Sequence, residues 1–261
     1  MRWELRAIGL KLLLLPFLLS AGVLAQNAIP PGTILPLQLS TTIRSRNDRP
    51  GLKVTARIRQ DVPLSAGSKI PANSRVIGEI VAVTPASPTR PGEVTVRFDK
   101  VIMGKQRIPV VTDLRALANM MDVSQAQIPM AGPDRGTSEA DWVTEQIGGD
   151  LNYHGAYVTN GSTVVGRSMV GDGVLAQVRS GPQERCRGEV DGNDQVQALW
   201  LFSSDACGLF GYPDLILAHT GRRNPVGEFR LTARRGDLTI RGGSGLLLRV
   251  NPSPRVDTAA H

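Results

Sequence analysis

The sequence predicts a mostly-β protein: a small antiparallel β-barrel or sandwich domain, then a second β-rich domain, with one or two short helices between them. Three observations carry that expectation. Apolar and polar residues alternate in several short runs, Pro and Gly separate the runs, and no helical period intervenes in the first half. At 261 residues, 41% of them hydrophobic, the chain can bury one large core or two small ones. Its 28 glycines and 18 prolines supply turns without reaching collagen-like or low-complexity proportions.

Residues 1–25 read as an export leader. Arg2, Arg6 and Lys11 precede or open the apolar run Leu12 to Leu19, and Val23-Leu24-Ala25 has the small residues of a cleavage site. The apolar stretch to Ala25 contains Pro16 and falls short of the roughly 18 residues of a membrane-spanning helix. The residue after the expected cut is Gln26 rather than a lipid-accepting cysteine. A periplasmic or secreted protein that does not span the membrane after cleavage is expected.

Residues 26–113 read as the first β domain. In Lys53-Val54-Thr55-Ala56-Arg57-Ile58-Arg59 every second residue is apolar, and Glu93-Val94-Thr95-Val96-Arg97-Phe98-Asp99 repeats the pattern, as a sheet with one wet face requires. Val101-Ile102-Met103, then Gly104-Lys105, then Gln106 to Val111 reads as a hairpin. Thr84 to Gly92, with Pro85, Pro88 and Pro91, reads as a loop.

An internal echo accompanies these strands. Ile29-Pro30-Pro31-Gly32-Thr33 and Ile70-Pro71-Ala72-Asn73-Ser74 each lead into a strand. Gly32 and Asn73 tolerate a left-handed turn, and the Thr33 and Ser74 hydroxyls are placed to satisfy a turn amide. With Leu35-Pro36, Ile43, Ser45, Pro50-Gly51, Val54, Ala56, Asp61-Val62 and Arg75-Val76-Ile77-Gly78, the run from Ile29 to Val111 resembles the C-terminal β-barrel domain of the TrbI/VirB10-type proteins of conjugation and type IV secretion. Such Ile-Pro-x-Gly-Thr strands also occur in standalone exported envelope proteins. The resemblance implies a β-barrel fold and an envelope location. The chain departs from the secretion subunits in lacking a long Pro-rich spacer and a two-helix outer-membrane antenna.

Residues 114–160 read as a linker with short helices. Leu114 to Met121 is one candidate helix, Ile128 to Gly136 a loop, and Thr137 to Ile147 a second helix, with Trp142 and Ile147 as packing residues and Gly148-Gly149 as its stop. A second β domain is expected over residues 161–250, with strands at 174–178, 196–202, 215–218, 228–233, 238–240 and 246–248 and a hairpin turn at Arg235-Gly236-Asp237. Residues 251–261 form a tail.

Reactive groups are few. Cys186 and Cys207 are the only cysteines, and in an exported chain their expected state is a disulfide. The competing reading makes Cys207 a nucleophile and His219 its base, giving a cysteine hydrolase of wall material. The only histidines are His154, His219 and His261, and no carboxylates are placed with them to hold zinc. Asp191-Gly192-Asn193-Asp194 lacks the glycine and glutamate of an EF-hand loop. Gly242-Gly243-Ser244-Gly245 lacks the spacing of a nucleophile elbow and reads as a turn. Asn160-Gly161-Ser162 fits a glycosylation sequon. No catalytic residue, cofactor or metal is expected.

Charge narrows the partners. Between Gln26 and Ala118 there are 14 Lys/Arg against 6 Asp/Glu, whereas from Asn119 onward there are 13 against 16. Phe98 is the basic half's one aromatic residue, which removes the stacking platform that single-stranded nucleic acid needs. The partners that remain are envelope proteins or anionic cell-wall polymers. Self-association into a homo-oligomer is compatible with the same features. The expected function is therefore an exported, non-catalytic envelope protein acting in binding or assembly. A wall-glycan-binding module is the alternative, and the cysteine hydrolase a more distant one.

Overall fold

The computed structural model describes residues 28–64, 67–138, 143–149, 151–169, 173–177, 195–218 and 227–252. The expected leader, the expected tail beyond Pro252, Trp142, Cys186, Asp191 to Asp194, His219 and His261 lie outside the described residues, whereas Asn251, expected to open the tail, is the buried last residue of a strand. In chain order the strands are β1 (Ile34–Leu39), β2 (Ile43–Arg44), β3 (Lys53–Ile58), β4 (Val62–Pro63), β5 (Lys69–Ile70), β6 (Arg75–Thr84), β7 (Glu93–Met103), β8 (Gln106–Pro109) and β9 (Val111–Ala118). Helix α1 (Met120–Ala126) follows, then β10 (Val143–Glu145), β11 (Asn152–His154), β12 (Tyr157–Asn160), β13 (Thr163–Met169), β14 (Gly173–Gln177) and β15 (Val196–Ala198). The last are β16 (Gly208–Phe210), β17 (Leu215–Ala218), β18 (Glu228–Ala233), β19 (Thr239–Ile240) and β20 (Gly245–Asn251).

The molecule is mostly β, as its alternating runs predict. A ten-stranded sheet runs in the order β16-β9-β20-β1-β3-β6-β7-β18-β17, with β8 also paired to β7. A six-stranded sheet runs β10-β11-β12-β13-β14-β15. No sheet among the described residues closes into a barrel. The end strands β16 and β17 of the large sheet are only four residues apart in the chain, but they do not pair.

The expected domain division at residue 161 does not survive in the pairing. β20 lies between β1 and β9, and β18 pairs with β7, so strands assigned from sequence to the second domain complete the first sheet. Conversely, β10 to β12, which fall in the expected linker, build the six-stranded sheet with β13 to β15. Local periodicity reports which face of a strand is buried, not which strand lies beside it. The fold divides by sheet rather than by position along the chain.

The two cores share one set of strands. Leu35, Leu37, Leu114, Leu117, Leu246 and Leu248 join the first core, while Ile34, Ala116, Ala118 and Leu247 on the same three strands join the second. Buried on both faces, β9 and β20 lose the period-two signature. That explains the expected helix at Leu114 to Met121: the apolar spacing of Leu114, Leu117, Ala118 and Met121 mimics a helical face, but the residues to Ala118 form β9. The helix starts later, at Met120. There the Asn119 side chain accepts the Asp122 amide N–H (2.6 Å) as its N-cap.

Other sequence expectations are also redrawn. The second expected helix ends instead in β10, where Val143 and Thr144 pair with His154 and Tyr153. The expected strand 196–202 stops at Ala198, and Leu199 to Cys207 continue as a loop that is buried apart from half-buried Asp205. Arg235-Gly236-Asp237 is a bend rather than a hairpin, because β18 pairs with β7 and β19 pairs with β2. The hairpin at Gly104-Lys105 forms as expected, with Met103 opposite Gln106.

The internal echo is a repeated turn. Thr33 N–H donates to Pro30 O and Ser74 N–H to Pro71 O, both at 3.2 Å, with Gly32 at φ 88° and Asn73 at φ 67°. These features match a type II turn, whose third residue has positive φ. The hydroxyls act differently from the expectation. Thr33 Oγ1 and Ser74 Oγ each donate to the carbonyl three residues back at 2.7 Å instead of accepting from an amide.

Buried polar groups stitch the sheets together. Gln197 Oε1 accepts the Ile34 N–H (3.0 Å), and Gln60 Oε1 accepts the Trp200 N–H (2.8 Å). Arg115 is the extra residue of a β-bulge opposite Leu247/Leu248; its guanidinium donates to Ala206 O (3.1 Å) and to Ser204 O. Gly148 lies against this loop at φ 99°, where a Cβ would sit 2.7 Å from Ser203 Oγ and 2.9 Å from Ala206 Cα.

Candidate anion-binding face

Strand alternation decides which charges share a surface. On β3, Val54, Ala56 and Ile58 face the core, so Lys53, Thr55 and Arg57 face outward; β6 and the first half of β7 follow the same rule. Register then sorts the outward charges into two contrasting rows.

The first row alternates in sign. Lys53 is opposite Glu79, Glu79 opposite Arg97, and Arg97 opposite Glu228. Arg97 pairs with Glu79 and, at 3.3 Å, with Glu228. Arg230 reaches Glu93 at 3.5 Å on the same sheet. Such exposed pairs each stabilise by about 1 kcal/mol or less.

The second row does not alternate. Arg57 on β3 is directly opposite Arg75 on β6; Arg75 is opposite Ile102 on β7, and Ile102 is opposite Arg107 on β8. All three arginines are exposed, and none makes an ion pair with a described residue. Among the described residues Arg57 donates only to the Asn73 carbonyl, at 3.3 Å. Like charges directly opposite on neighbouring strands destabilise a sheet. Arg57 and Arg75 also line a surface groove of about 460 Å³, together with Pro71 to Ser74, Ile102 and Gly104. Guanidinium groups on a row of strands present planar, paired donors suited to carboxylate or phosphate oxygens.

Asp61 holds the groove's turn in place. Its carboxylate accepts from Lys69 Nζ (2.6 Å) and from the Ala72 N–H (2.8 Å), fixing the chain just before Asn73. The lysine hydrogen bond, and then the amide, hold the Asp61 carboxyl below its ordinary value of 3.8. A depressed carboxylate stabilises the fold above its unfolded value and loses that contribution as pH falls through its folded value. Asp61→Asn is therefore expected to lower stability by about 1 kcal/mol or less at pH 7, and the deficit should shrink as pH falls below 3.8 and through the lower folded value. Urea unfolding of both proteins across an acid pH series checks this.

Of the reactive residues singled out from sequence, Cys207, His154, Ser244 and Asn160 lie among the described residues. Cys207 is 5% exposed and disulfide-bonded, while Cys186 and His219 lie outside the described residues. His154 is exposed on β11. Among the described residues no three His, Cys, Asp or Glu side chains cluster in a way that could hold a metal. Gly242-Gly243 makes a turn into β20. Ser244 is fully buried there, and its Oγ is 2.8 Å from the Tyr212 hydroxyl. Asn160 ends β12, where Gly161 and Ser162 form the turn to β13. The charge count pointed to a basic half, but the arginine row could be read only once the register of β3, β6, β7 and β8 was known.

No helix among the described residues is long and apolar enough to cross a membrane. In comparisons with known proteins, no family model matches the chain and no curated protein matches it.

Proposed function

We propose that this is an exported, non-catalytic cell-envelope protein that binds an anionic wall polymer through the arginine row of its ten-stranded sheet. The observation carrying this reading is the cross-strand row Arg57–Arg75–Ile102–Arg107, in which three exposed guanidiniums face one way without an acidic partner among the described residues while the neighbouring row is charge-balanced. Maintaining a repulsive row beside a paired one is consistent with selection for an external anion, at a small expense in stability. The leader-like residues 1–25 and the TrbI/VirB10-like run from Ile29 to Val111 support the envelope location.

The reading includes a structural disulfide between Cys186 and Cys207, which would stabilise by roughly 3 kcal/mol through loop closure. Two titratable thiols in the unreduced, unfolded protein would remove it.

Binding is tested by co-sedimentation of the full chain with isolated anionic wall polymer across a salt series. Arg57→Ala/Arg75→Ala/Arg107→Ala is expected to weaken binding at least tenfold, and added salt should weaken the unsubstituted protein. Undiminished binding by the triple variant would refute the assignment.

A further inference from the structure

A second concavity lies on a different part of the molecule, where helix α1 and the segment after it meet β10, the edge strand of the six-stranded sheet. Its volume is about 420 Å³, and Ile128, Met130 and Phe210 supply apolar walls. The ionisable groups lining it are carboxylates, Asp122 and Glu145; among the described residues no Lys, Arg or His lines it, in a chain where basic residues outnumber acidic ones 30 to 23. The other polar side chains on its wall, Gln125 and Gln146, can also accept hydrogen bonds. Gln146 is 3% exposed, and its Oε1 has no hydrogen-bond partner among the described residues.

Exposed apolar residues concentrate in the chain segment that includes the cleft wall. Of nine large hydrophobic residues exposed among the described residues, four fall within eleven positions here: Met120 (37%), Met121 (67%), Ile128 (42%) and Met130 (60%). Three are methionines, whose unbranched thioether chains adapt to the shape of a partner. The cleft is anchored on one side by Asn119, which caps α1 and donates from its side-chain amide to Gly211 O (2.7 Å). On the other side the Gly148 contact with the Ser203–Ala206 loop holds the floor.

We infer that this cleft docks a peptide segment of a partner protein in which a Lys or Arg side chain stands beside apolar residues. The two carboxylates select the cation, and the apolar walls accept its aliphatic stem. The exposed Ile128 and Met130 on its wall offer contact to a chain longer than one side chain. The ligand charge is opposite to that expected at the arginine row, so either site can fail without the other.

Calorimetric titration of the full chain tests this with three probes: a capped hexapeptide alternating leucine and lysine, the same peptide with glutamate for lysine, and n-hexylamine. The lysine peptide is expected to bind at least tenfold more tightly than either of the others. Asp122→Asn/Glu145→Gln should reduce its affinity at least tenfold, and Arg75→Ala should not reduce it. If the double variant loses its native melting transition, the exposed single change Glu145→Gln and a salt titration supply the same comparison. Equal binding of the glutamate peptide, or affinity indifferent to the carboxylates, would overturn the charge selection. Equal binding of n-hexylamine would overturn the peptide partner in favour of a small cation.

Discussion

Phe98→Ala is expected to destabilise the protein by about 4 kcal/mol, as full truncation of a buried aromatic does. Phe98 is 1% exposed on β7, and its ring stacks on Phe229 of β18, with centroids 6.3 Å apart and planes at 18°. The contact joins a strand from the first half of the chain to one from the last quarter. Truncation therefore removes packing between segments 131 residues apart. Phe229→Ala should cost a similar amount, and the double variant should cost less than the two singles combined because they share one contact. Equilibrium denaturation measures all three. Additive losses would mean that the rings stabilise separate units.

Trp200→Ala should have a comparable effect, about 3–5 kcal/mol, through a different part of the structure. Trp200 is fully buried in the loop after β15, at φ 52°, and its backbone N–H is held by Gln60 from the connection between β3 and β4. The Arg59 guanidinium lies 5.4 Å from the centre of its ring, close enough for a cation–π attraction. The indole Nε1 has no hydrogen-bond partner among the described residues. Trp200→Phe keeps an aromatic face beneath Arg59 and removes that unpaired donor, so it should cost less than about half as much as the alanine change. Thermal unfolding ranks the two variants. Equal losses would mean that the indole N–H contributes more than its geometry indicates.

These residues also show how far local sequence carried the fold. β3 and β7 were legible because each has one wet face, and the turns at Gly32 and Asn73 were legible because their residue types tolerate positive φ. β9 was misread because Leu114 to Ala118 is buried on both sides, which erases the alternation. Leu199 to Phe202 were misread as strand because these apolar residues are buried in a loop, and no local pattern distinguishes that from a buried strand. The positive balance of the first half was countable, but a row containing Arg57, Arg75 and Arg107 depends on pairing between residues up to 27 positions apart. The acidic cleft likewise needs Asp122 and Glu145 on neighbouring surfaces, although they are more than twenty positions apart in the chain.

Arg75→Glu separates a binding row from an ordinary charged surface, because it sets stability against affinity. Glutamate at this position would stand opposite Arg57 on β3, converting a repulsive cross-strand pair into an attractive one. Stability should rise by up to about 1 kcal/mol. With stability read by urea unfolding and affinity by titration with soluble anionic wall polymer, the expected result is a more stable protein that binds at least tenfold more weakly. A more stable protein that binds as before would contradict the role given to the row.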